Sequence, residues 1–441
     1  MEEIDTLIQA RWVIPVEPAG VVHDHYALAV HQGRILNLLP QAAARARYRA
    51  AQVHELADHA LIPGLVNAHT HAAMSLLRGL ADDMPLMTWL TEHIWPAESR
   101  WVGAEFTHDG ARLAFAEMLR GGTTCFNDMY FFPEVTARQA SACGMRACVG
   151  MIVIDFPSAW ASGWEQYLEK GLALHDEFRN DPLIRTAFAP HAPYSVSDPA
   201  LARIRVLADE LEVPVHMHVH ETDDEIRQSM ERFGVRPLER LRGLGLVSPA
   251  LLAVHMTQLT DTEIESVALA GAHVVHCPES NLKLASGYCP ADRLTRAGVN
   301  VALGTDGAAS NNDLDLLGEM RTAALVAKAV AGNAAAVPAA LALRMATLNG
   351  ARALGLGEQI GSLEPGKAAD ITAVHLGELE TEPVYHPVSQ LVYAAARHQI
   401  TDVWVAGRQL LKNRVLTTLD AAEIRDKARR WRDRIAAPDA Q

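Results

Sequence analysis

Between residues 60 and 306, eight short apolar runs rich in β-branched residues alternate with stretches of helical periodicity. Runs bounded by turn residues and separated by helices are the pattern of consecutive βα units around a parallel sheet. The runs are ALIPGLVNA near 60, GTTCFNDM near 122, RACVGMIVI near 146, IRTAFA near 184, VPVHMHV near 213, LLAVHM near 251, AHVVHC near 272 and NVALGT near 300. Eight βα repeats predict an α/β chain with a (β/α)8 TIM barrel. Periodicity sees strands and not closure, so the placement of polar residues carries the choice of a barrel. His69, His71, His191, His218, His255 and Asp306 all fall at or just beyond the carboxyl ends of runs. In a barrel those ends meet on one face, where active sites of this fold are built.

The flanks read differently. TLIQARWVIPV, YALAVHQGRILNLL and HELADHALI precede the barrel, and ADITAVHL and DVWVAGRQLL follow it, all with the look of antiparallel strands. Neither flank has enough strands to bury a face alone, so both chain ends are expected to build one small β-sandwich. The expected domains are residues 1–62 and 363–441 for the sandwich, with a C-terminal helix, and 63–362 for the barrel.

A formal net charge of −14 disfavours a nucleic-acid polymer or an anionic membrane as partner, because phosphates must be neutralised by clustered Lys and Arg. The N-terminal segment MEEIDTLIQARWV lacks the layout of a signal peptide, and no segment holds 18 uninterrupted apolar residues. A soluble cytoplasmic protein is expected, working as a homo-oligomer. Five cysteines without a C-x-x-C pair read as buried free thiols.

His69 and His71 flank one residue on a strand end and so point to the same side, as two ligands of one metal must. The fifth run holds His216, His218 and His220 on one face. Alternation cannot choose among them. His218 is preferred because H-x-x-E sets Glu221 just beyond the strand, in reach of a proton on water or a ring nitrogen; His216 and His220 are read as packing residues. Asp306 in GTDGAASNND can serve as metal ligand or as a turn residue. No Lys occurs between His71 and Lys170, and Lys170 lies in a helical stretch, which favours one metal over a lysine-bridged pair.

Together, LIPGLVNAHTH, HVHET, HCPESNLKLASG, GTDGAASNND and EPGKAADI resemble the amidohydrolase superfamily, and within it the methylthioadenosine and S-adenosylhomocysteine deaminases. The resemblance covers nearly the whole chain. It implies one zinc, or another divalent metal, per chain, held by His69, His71, His218 and Asp306. It implies Glu221 as proton shuttle, His255 as the group that orients the hydroxide or stabilises the oxyanion, Asp306 as base, and Glu98 and His191 as contacts to a small-molecule nucleoside. The implied reaction converts 5'-methylthioadenosine to 5'-methylthioinosine and ammonia, with adenosine and S-adenosylhomocysteine as further substrates. The same ligand set would serve deaminases or chlorohydrolases of other purines, pterins, pyrimidines or triazines, and a non-catalytic metal-binding barrel is the remote alternative. Trp89 and Met87 are expected along an apolar pocket, and Trp160 and Trp164 as a further wall for the 5' substituent.

Overall fold

A computed structural model describes residues 1–437. The N-terminal strands are β1 (Glu2–Val13), β2 (His23–His31), β3 (Arg34–Pro40) and β4 (Tyr48–Pro63). The barrel strands are β5 (Leu65–Thr70), β6 (Thr123–Asp128), β7 (Arg146–Val153), β8 (Ile184–Pro190), β9 (Val215–Val219), β10 (Leu251–His255), β11 (His273–His276) and β12 (Asn300–Leu303). The chain then adds β13 (Ile371–His375), β14 (Ile400–Val405), β15 (Arg408–Lys412) and β16 (Val415–Leu416).

Seven of the eight runs each became one barrel strand; the first splits at Gly64, its ALIP ending β4 and its LVNA opening β5, and the barrel sheet runs in order from β5 to β12. Five of these strands are buried at every residue, the other three at all but one position near the start, which is why their sequences read as continuous apolar runs rather than alternations. Beyond β12 the chain returns to β5, with the Thr305 and Asp306 amides both donating to the His69 carbonyl at 3.1 Å. Gly304 permits this approach: a Cβ there would lie 2.8 Å from the His69 Cβ.

A second eight-stranded sheet takes strands from both chain ends, in the order β16-β15-β14-β13-β4-β1-β2-β3. One core cluster joins Ile8, Leu28, Val30 and Leu61 from the N-terminal strands to Ile371, Ala373 and Trp404 from the C-terminal ones. This explains why neither flank suffices alone. One expectation needs correction: β1 and β4 pair in parallel over Glu2–Val13, with the β2–β3 hairpin lying outside them.

By its contacts the chain forms two compact units, one of Met1–Asn67, Glu117–Cys125 and Asp315–Thr418, the other of Ala68–Ala116, Phe126–Leu314 and, among the described residues, 419–437. In the second unit the C-terminal helix, Ala421–Ala436, starts on an Asp420 cap and buries Trp431, whose indole donates to Asp109 at 3.0 Å. No helix among the described residues is long and apolar enough to cross a membrane.

Candidate active site

Four of the expected residues meet at the carboxyl ends of β5, β9 and β12. His69, His71, His218 and Asp306 each offer one ligand atom, all within 4.8 Å of one another. Asp306 Oδ1 lies 3.1 Å from His69 Nε2 and 3.2 Å from His71 Nε2, and His69 Nε2 is 3.2 Å from His218 Nε2. Asp306 reaches this point from a left-handed backbone, φ 60°, a strained setting for a non-glycine residue and one found at functional sites. Its other oxygen, Oδ2, accepts from Ser280 Oγ at 2.7 Å and Ser310 Oγ at 2.8 Å, so Oδ1 is the oxygen turned to the histidines.

The outer nitrogens are also fixed. His71 Nδ1 bonds the Met129 carbonyl at 2.5 Å, His218 Nδ1 the His191 carbonyl at 2.8 Å, and His69 Nδ1 the His216 ring at 2.8 Å. Three Nε2 atoms and a carboxylate oxygen therefore converge, an arrangement that needs a positive charge at its centre. Burial lowers the His69 pKa to about 3. At His71 burial opposes charging, but the hydrogen bond and charge of Asp306 win and raise the pKa to about 9. Nitrogen and oxygen donors in a set of four suit zinc, and the absence of a lysine fits one ion. Lys170 points elsewhere, its Nζ donating to the Trp160 carbonyl at 2.5 Å.

A cavity of about 440 Å³ opens onto this cluster, a size that suits a nucleoside. Glu221 and His255 lie on its floor with 3.7 Å between Oε1 and Nε2. Burial pushes the Glu221 carboxyl above its usual range. His255 stacks on His218 at 5.4 Å, and its Nδ1 bonds Asn281 Oδ1 at 2.8 Å, which turns Nε2 to the cavity. His191 lines the wall, bonded through Nδ1 to Ser195 Oγ at 2.9 Å, and burial lowers it to about 4. Glu98 comes from the helix Trp95–Trp101 and accepts from the Tyr130 hydroxyl at 2.7 Å; burial raises its carboxyl to about 7. Trp89 sits in a π-helical turn over Trp89–Ile94, its indole donating to the Ala81 carbonyl at 3.1 Å. Its ring joins Met74, Leu86, Ile94, Trp95 and Phe156 as an apolar wall.

The aromatic wall differs from the expected one. Trp160, Trp164 and Met87 do not line this cavity. Trp160 is buried, its indole bonded to Glu134 at 3.1 Å, and holds the loop in place. Sequence reasoning also passed over several supports. Tyr130 orients Glu98, Asn281 orients His255, and Glu225 takes the backbone amides of His220 and Glu221 at 3.1 and 2.8 Å. Glu225, three residues after a capping Thr222, carries the capping-box spacing that gave a signal.

A barrel whose strand ends present three imidazoles, one carboxylate and a buried Glu defines a class of metal-assisted hydrolases. The Amidohydrolase family matches residues 60–410, and the chain belongs to that family. A 5-methylthioadenosine/S-adenosylhomocysteine deaminase of Teredinibacter turnerae is 52% identical, covering 98% of this chain and 98% of its own. One from Saccharophagus degradans is 50% identical over 99% of this chain and 98% of its own. Among solved structures, an adenosine deaminase from Xanthomonas campestris with bound zinc is 57% identical, covers 98% of this chain and 99% of its own, and superposes with a TM-score of 0.97.

Proposed function

We propose that this chain is a zinc-dependent aminohydrolase that converts 5'-methylthioadenosine to 5'-methylthioinosine and ammonia. The observation that carries the substrate is the cavity itself. Its charged groups gather at the cluster and at Glu98, while the rest of the wall is mainly apolar, with Ser158 and Tyr194 among its polar members, and includes no Lys or Arg. An amino-acid carboxylate on the 5' side would find no guanidinium partner there, whereas a methylthio group would gain burial.

His69, His71, His218 and Asp306 would hold zinc. Bound there, zinc supplies the Lewis acidity that makes water a nucleophile at neutral pH. Asp306 Oδ1 takes a proton from the attacking water as its oxygen bonds to C6 of the purine. Glu221, whose carboxyl burial pushes above its usual range, gives a proton to the ring nitrogen N1, so the displaced π electrons end on nitrogen. His255 Nε2, its Nδ1 proton given to Asn281 Oδ1, accepts a hydrogen bond from the attacking water and orients it towards C6. The proton held by Asp306 then passes to the amino nitrogen, the oxygen at C6 gives its remaining proton to Glu221 as the C6–N bond breaks, and ammonia leaves. Glu98 accepts from the ribose hydroxyls, with Tyr130 holding its other side, and His191 contacts the nucleoside. Trp89 walls the site against water.

Competition among methylthioadenosine, adenosine and S-adenosylhomocysteine tests this reading. Burying a methylthio group gains roughly 1–3 kcal/mol over a hydroxyl, about ten- to two-hundredfold in kcat/KM. Methylthioadenosine is expected first, and faster consumption of S-adenosylhomocysteine would refute the apolar-wall argument. We also propose a cytoplasmic homo-oligomer with domain limits near 62/63 and 362/363. Light scattering reads the assembly.

A further inference from the structure

The three histidines at the cluster differ in what holds their outer nitrogens. His71 and His218 bond main-chain carbonyls, those of Met129 and His191, which no substitution removes. His69 alone bonds a side chain, His216, with 2.8 Å between Nδ1 and Nε2 and the rings nearly perpendicular at 76°. His216 is fully buried on the same inward face of β9 as His218, one layer deeper in the barrel.

We propose that His216 is a positioning residue that fixes His69 for metal binding. His69 turns Nε2 to the cluster, so as a neutral ligand it carries its proton on Nδ1. That proton needs an acceptor, and His216 Nε2 is the group in place. Accepting there sets the His69 tautomer and stops the ring from turning. Ligating histidines commonly give this hydrogen bond to a carboxylate, a carbonyl or water. A carboxylate here would add a second buried anion close to Asp306, at a steep desolvation cost. A neutral imidazole accepts the proton without adding charge.

The inference rests on the metal reading above, and its test separates the two. His216→Gln can keep an acceptor near the position of Nε2, His216→Leu keeps bulk without one, and His216→Phe keeps a ring without one. Zinc affinity is measured without substrate, by competition with a chromophoric chelator, on proteins whose metal-free circular dichroism matches wild type. The Leu variant is expected to bind zinc about 10- to 100-fold more weakly, the range for lost outer partners of metal ligands. The Gln variant should stay within about threefold of wild type, a far smaller loss than removal of such a partner brings. If Leu does not fold, Phe takes its place in the comparison. Wild-type affinity in the Leu or Phe variant, or equal loss in Gln and Leu, would overturn the proposal and return His216 to packing alone. Wild-type protein without zinc affinity would overturn the metal reading and this proposal together.

Discussion

Replacing Glu98 by Gln should stabilise the protein at alkaline pH while impairing it as a catalyst. Burial raises the Glu98 carboxyl from 4.5 to about 7 in the folded chain. At about 1.4 kcal/mol per unit, that shift corresponds to roughly 3 kcal/mol of cost to the ionised form. Water in the open cavity screens part of it, which leaves about 1–2 kcal/mol. The sign follows from linkage. Below pH 4.5 the group is neutral in both states and costs nothing; as pH rises towards 7 the unfolded chain has released its proton and the folded chain has not, so wild type loses stability. Gln does not titrate and escapes this loss. Urea unfolding of both proteins, held in chelator so that metal plays no part, should show the advantage of E98Q growing from pH 5 to pH 8. The same variant should lose about 10- to 150-fold in kcat/KM for methylthioadenosine, the worth of one hydrogen bond to a charged acceptor, chiefly through KM. A 2',3'-dideoxy analogue should lose little more with the variant than with wild type. A stability difference that stays flat between pH 5 and pH 8, or a full loss on the dideoxy analogue, would refute the reasoning.

Glu221→Gln should retain zinc yet lose on the order of a hundredfold or more in kcat, because the amide keeps the size and loses the transferable proton; single-turnover rates on metal-replete protein check this. Phe156, on the cavity wall beside Trp95 with 6.4 Å between ring centroids, should influence the 5' end. Phe156→Ala should narrow the preference for methylthioadenosine over adenosine by about tenfold, the scale of one lost apolar contact in a pocket, read from paired kcat/KM values. Wild-type kcat/KM for nucleosides should rise with pH through about 7 as Glu98 ionises, and the E98Q profile should lack that limb.

The barrel was legible because its strands are buried on both faces, so the sequence writes eight largely apolar runs, with the histidines and aspartate of the site at or just beyond their carboxyl ends. Parallel pairing of β1 with β4 was not legible. Strand patterning records which face is buried, and the direction of a neighbour depends on the intervening hairpin and crossover. At the site, alternation placed His216, His218 and His220 on one face, and spacing to Glu221 singled out His218. Depth within the barrel is absent from that pattern, so the bond from His69 to His216 came only with the coordinates. The wall shows the same limit: Trp160 precedes and Trp164 opens the helix Trp164–Phe178, but aromatic content does not say which way a ring faces, and Phe156 and Trp95 line the cavity instead.

The central claim is that a metal held by His69, His71, His218 and Asp306 drives deamination of an adenine nucleoside. Chelator-stripped protein should be titrated with zinc while ammonia release from methylthioadenosine and the accompanying ultraviolet change are followed together. Activity should climb linearly and saturate at about one zinc per chain, the stoichiometry of a single four-donor site, with one ammonia formed per nucleoside converted. Full activity without metal, saturation at two zincs, or no ammonia from the nucleoside at any zinc level would contradict it.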